Sequence, residues 1–185
     1  AASDVYKRQE TDNGCVAYYA LSVKKGGTSD IINQGDYQFI TVDGVNYLSN
    51  YVGTDVKINL PASYNGQNYR IKNYAFSGCE SLTEVIIPDG VTSIGDGVFS
   101  YCESLTSITI PEGVTNIGDS AFLGCWSLTS ITIPASVTSI GGKAFTQCHS
   151  LTDINVNENN KNFKSIDGNL YSICLLYTSP SPRDY

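Results

Sequence analysis

Apolar positions along this chain recur on a beat of 23 residues. Phe76, Phe99, Phe122 and Phe145 mark it, and Cys79, Cys102, Cys125 and Cys148 follow three residues behind. Leu82, Leu105, Leu128 and Leu151 keep the same interval, as do Pro88, Pro111 and Pro134. Within one round, Leu105, Ile108 and Ile110 alternate with polar residues, the pattern of a short strand with one buried face, and Pro111 ends it. Val114 and Ile117 form a second inward pair, after which Gly118 is expected to turn the chain. Asn73, Asp96, Asp119 and Gly142 open the next segment, where N-caps are favoured, so one helical turn is expected to carry the Phe inward. A unit this small cannot bury its own apolar face, and the repeat therefore predicts stacked parallel coils with a shared core.

Hairpins flank the coils. Tyr37–Val42 and Val45–Tyr51 enclose Asp43-Gly44, a pair suited to the positive φ angles of a tight turn. The same word returns at Phe163–Ile166, Asp167-Gly168 and Tyr171, which marks the hairpin as a module that interrupts or caps the array. Residues 10–36 are weakly patterned, with a strand expected at Val16–Val23. The first coil is longer than the rest, and its extra residues around Asn65-Gly66 are expected to bulge outward as a turn.

The ends read differently. Ala1–Gln9 and Cys174–Asp184 resemble a translated sequencing adapter and its inverted copy, so 1–9 and 174–185 are set aside from fold reasoning. What remains is expected to be an internal piece of a longer gene: 10–56 as strand and hairpin, 57–156 as the solenoid, and 157–173 as a closing hairpin.

Acidic residues outnumber basic ones, giving a net charge of −7, and the sign persists without the flanks. That balance disfavours nucleic acid, whose binding rests on Lys and Arg neutralising phosphates, and an anionic membrane surface. No apolar run reaches the roughly 18 residues needed to span a bilayer. The expected partner is a protein or a glycan.

Four cysteines on one column invite a metal. Stacked strands lie about 4.8 Å apart, so the column extends over roughly 14 Å and cannot converge on one tetrahedral ion. Neighbouring rungs do fall within reach of a disulfide, but all four are expected as buried free thiols. His149 directly follows Cys148, which makes the two side chains diverge rather than form a nucleophile and base. The acidic residues show no paired arrangement, and Asn157–Asn162 lacks alternating acidic ligands for calcium. No catalytic residue, metal or cofactor is expected. Recognition is expected where the coils differ: the column Glu80, Glu103, Trp126, His149 after each Cys and Gly78, Tyr101, Gly124, Gln147 before it. The binding set is thus Tyr101, Glu103, Trp126 and His149, extended by Thr106, Thr109, Thr129 and Thr132 on the strand face.

Val114–Pro134 reads V-T-x-I-G-x-x-A-F-x-x-C-x-S-L-T-x-I-x-I-P, and this motif, repeated across roughly Lys57–Val156, resembles the BspA-like leucine-rich-repeat family of bacterial and protist surface proteins. The resemblance implies a right-handed, β-rich leucine-rich-repeat solenoid in an extracellular or cell-surface protein, with adhesion to host or neighbouring-cell macromolecules. It departs from the better-known leucine-rich motif by placing Pro, not Asn, near the strand end, so that motif's asparagine ladder is not expected. Two other roles fit the same residues: a repeat appendage of a secreted hydrolase whose catalytic domain lies outside these residues, and a passive surface spacer.

Overall fold

The computed structural model describes residues 31–173, together with the backbone of two earlier strands. Those two, β1 (Val5–Glu10) and β2 (Val16–Leu21), pair antiparallel. Strand β1 covers part of the adapter-like first segment; 174–185 lie outside the described residues. Next come β3 (Ile32–Gln34), β4 (Tyr37–Val42) and β5 (Val45–Tyr51), an antiparallel run whose β4–β5 turn holds Asp43 and Gly44 at φ 50° and 78°.

From there the chain winds between two parallel sheets. Strands β6 (Lys57–Asn59), β8 (Glu84–Ile86) and β10 (Ser107–Thr109) form one wall, continued by the pair β12 (Ser130–Ile133) and β14 (Asp153–Val156). The opposite wall holds β7 (Tyr69–Ile71), β9 (Val91–Ile94), β11 (Asn116–Ile117) and β13 (Ser139–Ile140). Strand β5 joins this wall in parallel with β7, so the hairpin becomes the first rung of a seven-stranded sheet. At the far end β15 (Phe163–Ile166) and β16 (Asn169–Ser172) form the closing hairpin. The extra residues of the first coil fold as a tight turn between Tyr64 and Gln67, with Asn65 and Gly66 at φ 51° and 70°.

The core is a set of columns. Phe76, Phe99 and Phe122 are fully buried, and their rings stack 5.3 and 5.6 Å apart. Tyr51 of β5 stacks beneath Phe76, and Phe145 extends the stack above Phe122 at 5.6 Å. Leu82, Leu105 and Leu128 are buried beside them, while Leu151, in the last coil, is only half-buried.

The cysteine column has its own bonding rule. The thiols of Cys102, Cys125 and Cys148 donate to the carbonyls of Phe76, Phe99 and Phe122, one coil earlier, at 3.2, 3.1 and 3.0 Å. Each of those carbonyls also accepts the amide of its own coil's cysteine, at 3.2 Å, so both lone pairs are used. These three cysteines are free, as the sequence predicts. Cys79 is not: it is disulfide-bonded, and its partner lies outside the described residues. Its place in the array differs too: the residue 26 before Cys79 is Gly53, where the other three thiols meet a Phe carbonyl, and the ring beneath Phe76 is Tyr51 of the hairpin rung.

The helical turn expected in each coil is replaced by successive i to i+3 turns, such as Ala75 to Lys72, Ser77 to Tyr74 and Cys79 to Phe76. Two left-handed positions per round break the helix. One holds Tyr74, Gly97 and Ser120 (φ 63°, 59°, 56°); the other holds Gly78, Tyr101, Gly124 and Gln147 (φ 71°, 58°, 72°, 60°). The freed amides reach the next coil instead: Tyr74, Phe76 and Gly78 donate to the carbonyls of Asp96, Val98 and Ser100 at 2.8–3.0 Å.

The expected N-caps also bond between coils. The Asn73 side chain accepts the Asp96 amide at 2.9 Å, Asp96 accepts that of Asp119 at 2.8 Å, and Asp119 accepts that of Lys143 at 3.0 Å. This is a polar ladder, though at a different place in the coil from the asparagine ladder of the better-known motif. Gly118 does not turn the chain by a positive φ; it gives clearance, because a Cβ there would stand 2.5 Å from both Asp96 Oδ1 and the Gly95 carbonyl carbon.

Three outcomes follow for stability. Phe122→Ala, between two stacked rings, is expected to cost about 3–5 kcal/mol in denaturant melts, and Phe145→Ala less because half of its environment is open; equal small losses would contradict a stacked core. Thiol titration of denatured, unreduced protein is expected to find Cys102, Cys125 and Cys148 but not Cys79, with half-buried Cys148 the first to alkylate in the native state. Burial also raises the Cys102 thiol from its ordinary 9.0 to about 12. Its contribution to stability is therefore complete below the ordinary value and is lost as pH climbs toward 12, so melting temperature is expected to fall across that window. A melting temperature that stays flat over it would contradict the buried thiol.

Candidate binding rim

The two left-handed positions per round decide what the outer edge displays. At the position before each Cys, Gly78 and Gly124 meet the positive φ without steric cost, whereas Tyr101 holds it with a bulky side chain. Left-handed backbone costs a residue with a Cβ roughly 1–2 kcal/mol. The Tyr101 ring lies along the solenoid onto the next coil: a Cβ built on Gly124 would stand 2.8 Å from its Cδ1 and 3.1 Å from its Cε1. Gly124 is thus buried under the ring, while Tyr101 keeps 46% of its own surface in solvent.

Tyr74 repeats the arrangement one coil earlier. It stands at φ 63°, is 38% exposed, and its ring occupies the space a Cβ on Gly97 would need. Sequence reasoning passed over it; the signal was a Tyr in a column otherwise held by Gly97, Ser120 and Lys143.

The position after each Cys forms the second line of the rim. The backbone stitches it coil to coil, since the Ser127 amide donates to Glu103 O and the Ser150 amide to Trp126 O, each at 3.2 Å. Trp126 is 45% exposed, and its ring centroid lies 6.5 Å from that of the exposed His149, tilted by 42°. Glu103 is half-buried. The fold therefore brings Glu103, Trp126 and His149 onto adjacent rungs, with Tyr101 on the same arc.

The strand face is a different surface. Thr106, Thr109, Thr129 and Thr132 are exposed, but the Thr106 hydroxyl donates to Thr83 O at 3.0 Å, and Thr152 in turn donates to Thr129 O at 3.3 Å. Part of this threonine column thus fastens coils together. Cys148 and His149 diverge: the thiol points inward to Phe122 O and the imidazole stands in solvent.

Two polar groups without an expected role prove structural. Asn160 is buried; its amide donates to Pro134 O and Val137 O at 2.7 and 3.0 Å, and its oxygen accepts the Asn162 and Phe163 amides at 2.8 and 2.9 Å. The Glu112 carboxylate accepts the Ala135 and Ser136 amides and the Asn157 side chain, at 3.2–3.3 Å. A cleft of about 470 Å³ lies between the last coil and the closing hairpin, lined by Ile140, Ala144, Phe145, Phe163 and Leu170. Among the described residues, no group of three or more His, Cys, Asp or Glu side chains is gathered where a metal would sit, and no helix is long and apolar enough to cross a membrane.

The same coils occur in known proteins. The BspA type leucine rich repeat region, in 6 copies, matches residues 57–180. A leucine-rich repeat protein from Bacteroides capillosus is similar over 69% of this chain and 98% of its own, at 33% identity and a TM-score of 0.62. The T. pallidum leucine-rich repeat protein matches 68% of this chain and 71% of its own, at 25% identity and a TM-score of 0.53. A leucine-rich repeat protein from Bacteroides ovatus is 28% identical over 84% of this chain, which spans 40% of that longer one, with a TM-score of 0.51. No curated protein matches the chain. Period, stacked columns and these likenesses agree: the chain belongs to the BspA-type leucine-rich-repeat family.

Proposed function

We propose that the chain is a non-enzymatic protein- or glycan-binding module of an exported microbial surface protein, acting in adhesion, with the contact carried by Tyr101, Trp126 and His149. One observation carries this reading: Tyr101 occupies a left-handed position that glycine fills in the coils on either side, and spends that strain on an exposed ring. Strain held against stability is a mark of functional sites, and exposed Trp and Tyr are the residues that most often anchor interfaces. The acidic balance of the chain favours partners that are neutral or basic. Family membership, rather than the geometry, is what supports export and surface display.

Two measurements test the reading. Tyr101→Gly is expected to hold or raise the melting temperature, by up to about 1 kcal/mol of stability, because it removes left-handed strain and gives up only a half-exposed ring; a loss above 2 kcal/mol would make Tyr101 a packing residue. Replacing Tyr101 and Trp126 by Ser is expected to leave the circular dichroism spectrum unchanged and to weaken binding to a ligand found on protein and glycan arrays by at least the ~2 kcal/mol of a hot spot. Unchanged folding with unchanged binding would move the site to Thr109 and Thr132 on the strand face.

A further inference from the structure

We infer that Cys79 is bonded to Cys15, so that one disulfide fastens the N-terminal segment to the foot of the cysteine column. The chain holds six cysteines. Cys102, Cys125 and Cys148 are free, which leaves Cys15 and Cys174 as the partners available within the chain. Distance removes Cys174. It follows Ile173, whose amide donates to Asn162 O at 2.9 Å, and the preceding Ser172 lines the cleft together with Phe145 of the last coil. Three ring steps of 5.3–5.6 Å separate that Phe145 from Phe76, in the coil of Cys79. A disulfide joins Cα atoms no more than about 6.8 Å apart, and one peptide link adds about 3.8 Å, so Cys174 falls short. Cys15 remains.

The column itself sets Cys79 apart. Cys102, Cys125 and Cys148 each give the thiol proton to the carbonyl of a Phe 26 residues earlier, on the coil toward the N-terminus. For Cys79 that position is Gly53, in the stretch between β5 and β6, and the ring stacked on Phe76 is Tyr51 of the opening hairpin. A covalent bond thus takes the place that a hydrogen bond holds in the coils above. Cys79 is only 2% exposed, so the bond forms at the inner end of the column rather than on the surface. Cys15 stands directly before β2, and its bond ties the β1–β2 pair to the first coil across the whole of the opening hairpin. Joining points so far apart in the chain restricts the unfolded state and stabilises the folded one.

Forming the bond removes two protons and two electrons from the pair of thiols. An external disulfide, that of a thiol–disulfide oxidoreductase, accepts both and leaves as two thiols. Such an acceptor is kept oxidised outside the reducing cytosol, so the bond agrees with the export proposed above. Exchange stays confined to this end of the array. A thiol must be accessible as thiolate to attack a disulfide, and Cys102 and Cys125 are fully buried, so the bond does not migrate along the column. Reduction restores two thiols at the N-terminal end and leaves the Phe stack and the thiol–carbonyl bonds of the later coils in place. The disulfide is therefore a redox-sensitive clasp on one end of the solenoid.

Chymotryptic peptide mapping of the full chain reads the pairing directly, since Tyr, Phe or Leu separates each cysteine from the next. Free thiols are blocked during denaturation, without reductant. The Cys15 and Cys79 peptides are expected to be linked, and Cys174→Ser is expected to keep that link. A bond from Cys79 to Cys174 or to a second chain, or an unlinked Cys79, would overturn the pairing. Dithiothreitol is expected to lower the melting temperature by at least about 5 °C, and Cys15→Ser to lower it equally and to abolish the effect of reductant. Hydrogen exchange of the unmutated chain, with and without dithiothreitol, locates the effect. Protection at the Phe76 amide is expected to fall on reduction while that at Phe122 holds. Equal loss at both would make the bond a brace of the whole array and overturn the end clasp. No change in melting or exchange on reduction would overturn its stabilising role.

Discussion

The register between one coil and the next is the constraint on which the rest of the structure depends. Phe99, Phe122 and Phe145 each stack on the Phe 23 residues earlier, and each free thiol donates to the carbonyl of the Phe 26 residues earlier. A thiol is small enough to stand behind the ring stack and still reach that carbonyl. Stacked aromatic pairs contribute about 0.5–1.5 kcal/mol each beyond the area they bury. Because every column repeats at the same interval, an insertion is tolerated only where it leaves the columns, as the Asn65-Gly66 turn does.

The parts of this fold legible in the sequence are those that repeat. The Phe, Cys and Leu columns, the strand ending at Pro, and the Asp-Gly hairpins appear where alternation and turn chemistry placed them. The caps and the helical turn depart from the local reading for one cause. Local rules assign Asn73, Asp96 and Asp119 to capping their own turn, but in a solenoid the nearest unpaired amide belongs to the next coil. The same substitution of neighbours removes the helix, since turn amides find carbonyls one coil away and two left-handed residues per round interrupt the helical path. Cys79 departs for a different cause: it shares the column of the free thiols but stands at the edge of the array, and it is disulfide-bonded.

The rim was partly legible. Comparing coils within the chain singled out Tyr101, Trp126 and His149 as variable positions beside an invariant core, and all three are exposed. Invisible to that comparison was the backbone beneath them. That Tyr101 sits in left-handed backbone, and that its ring needs Gly124 bare, depends on the path of two coils together. Stability and display are thus separated within one round: inward columns are held by register, and the left-handed positions leave the outer edge free to vary.

Native-state hydrogen exchange tests the dependence on coil-to-coil register most directly. Amides of Phe76, Phe99 and Phe122 donate to Val98, Ala121 and Ala144 on the following coil, whereas among the described residues those of Phe145 and Gln147 have no carbonyl to reach. The account predicts strong protection at Phe99 and Phe122, falling to little at Phe145 and Gln147. Equal protection at all of these amides, or fast exchange at Phe99, would contradict it.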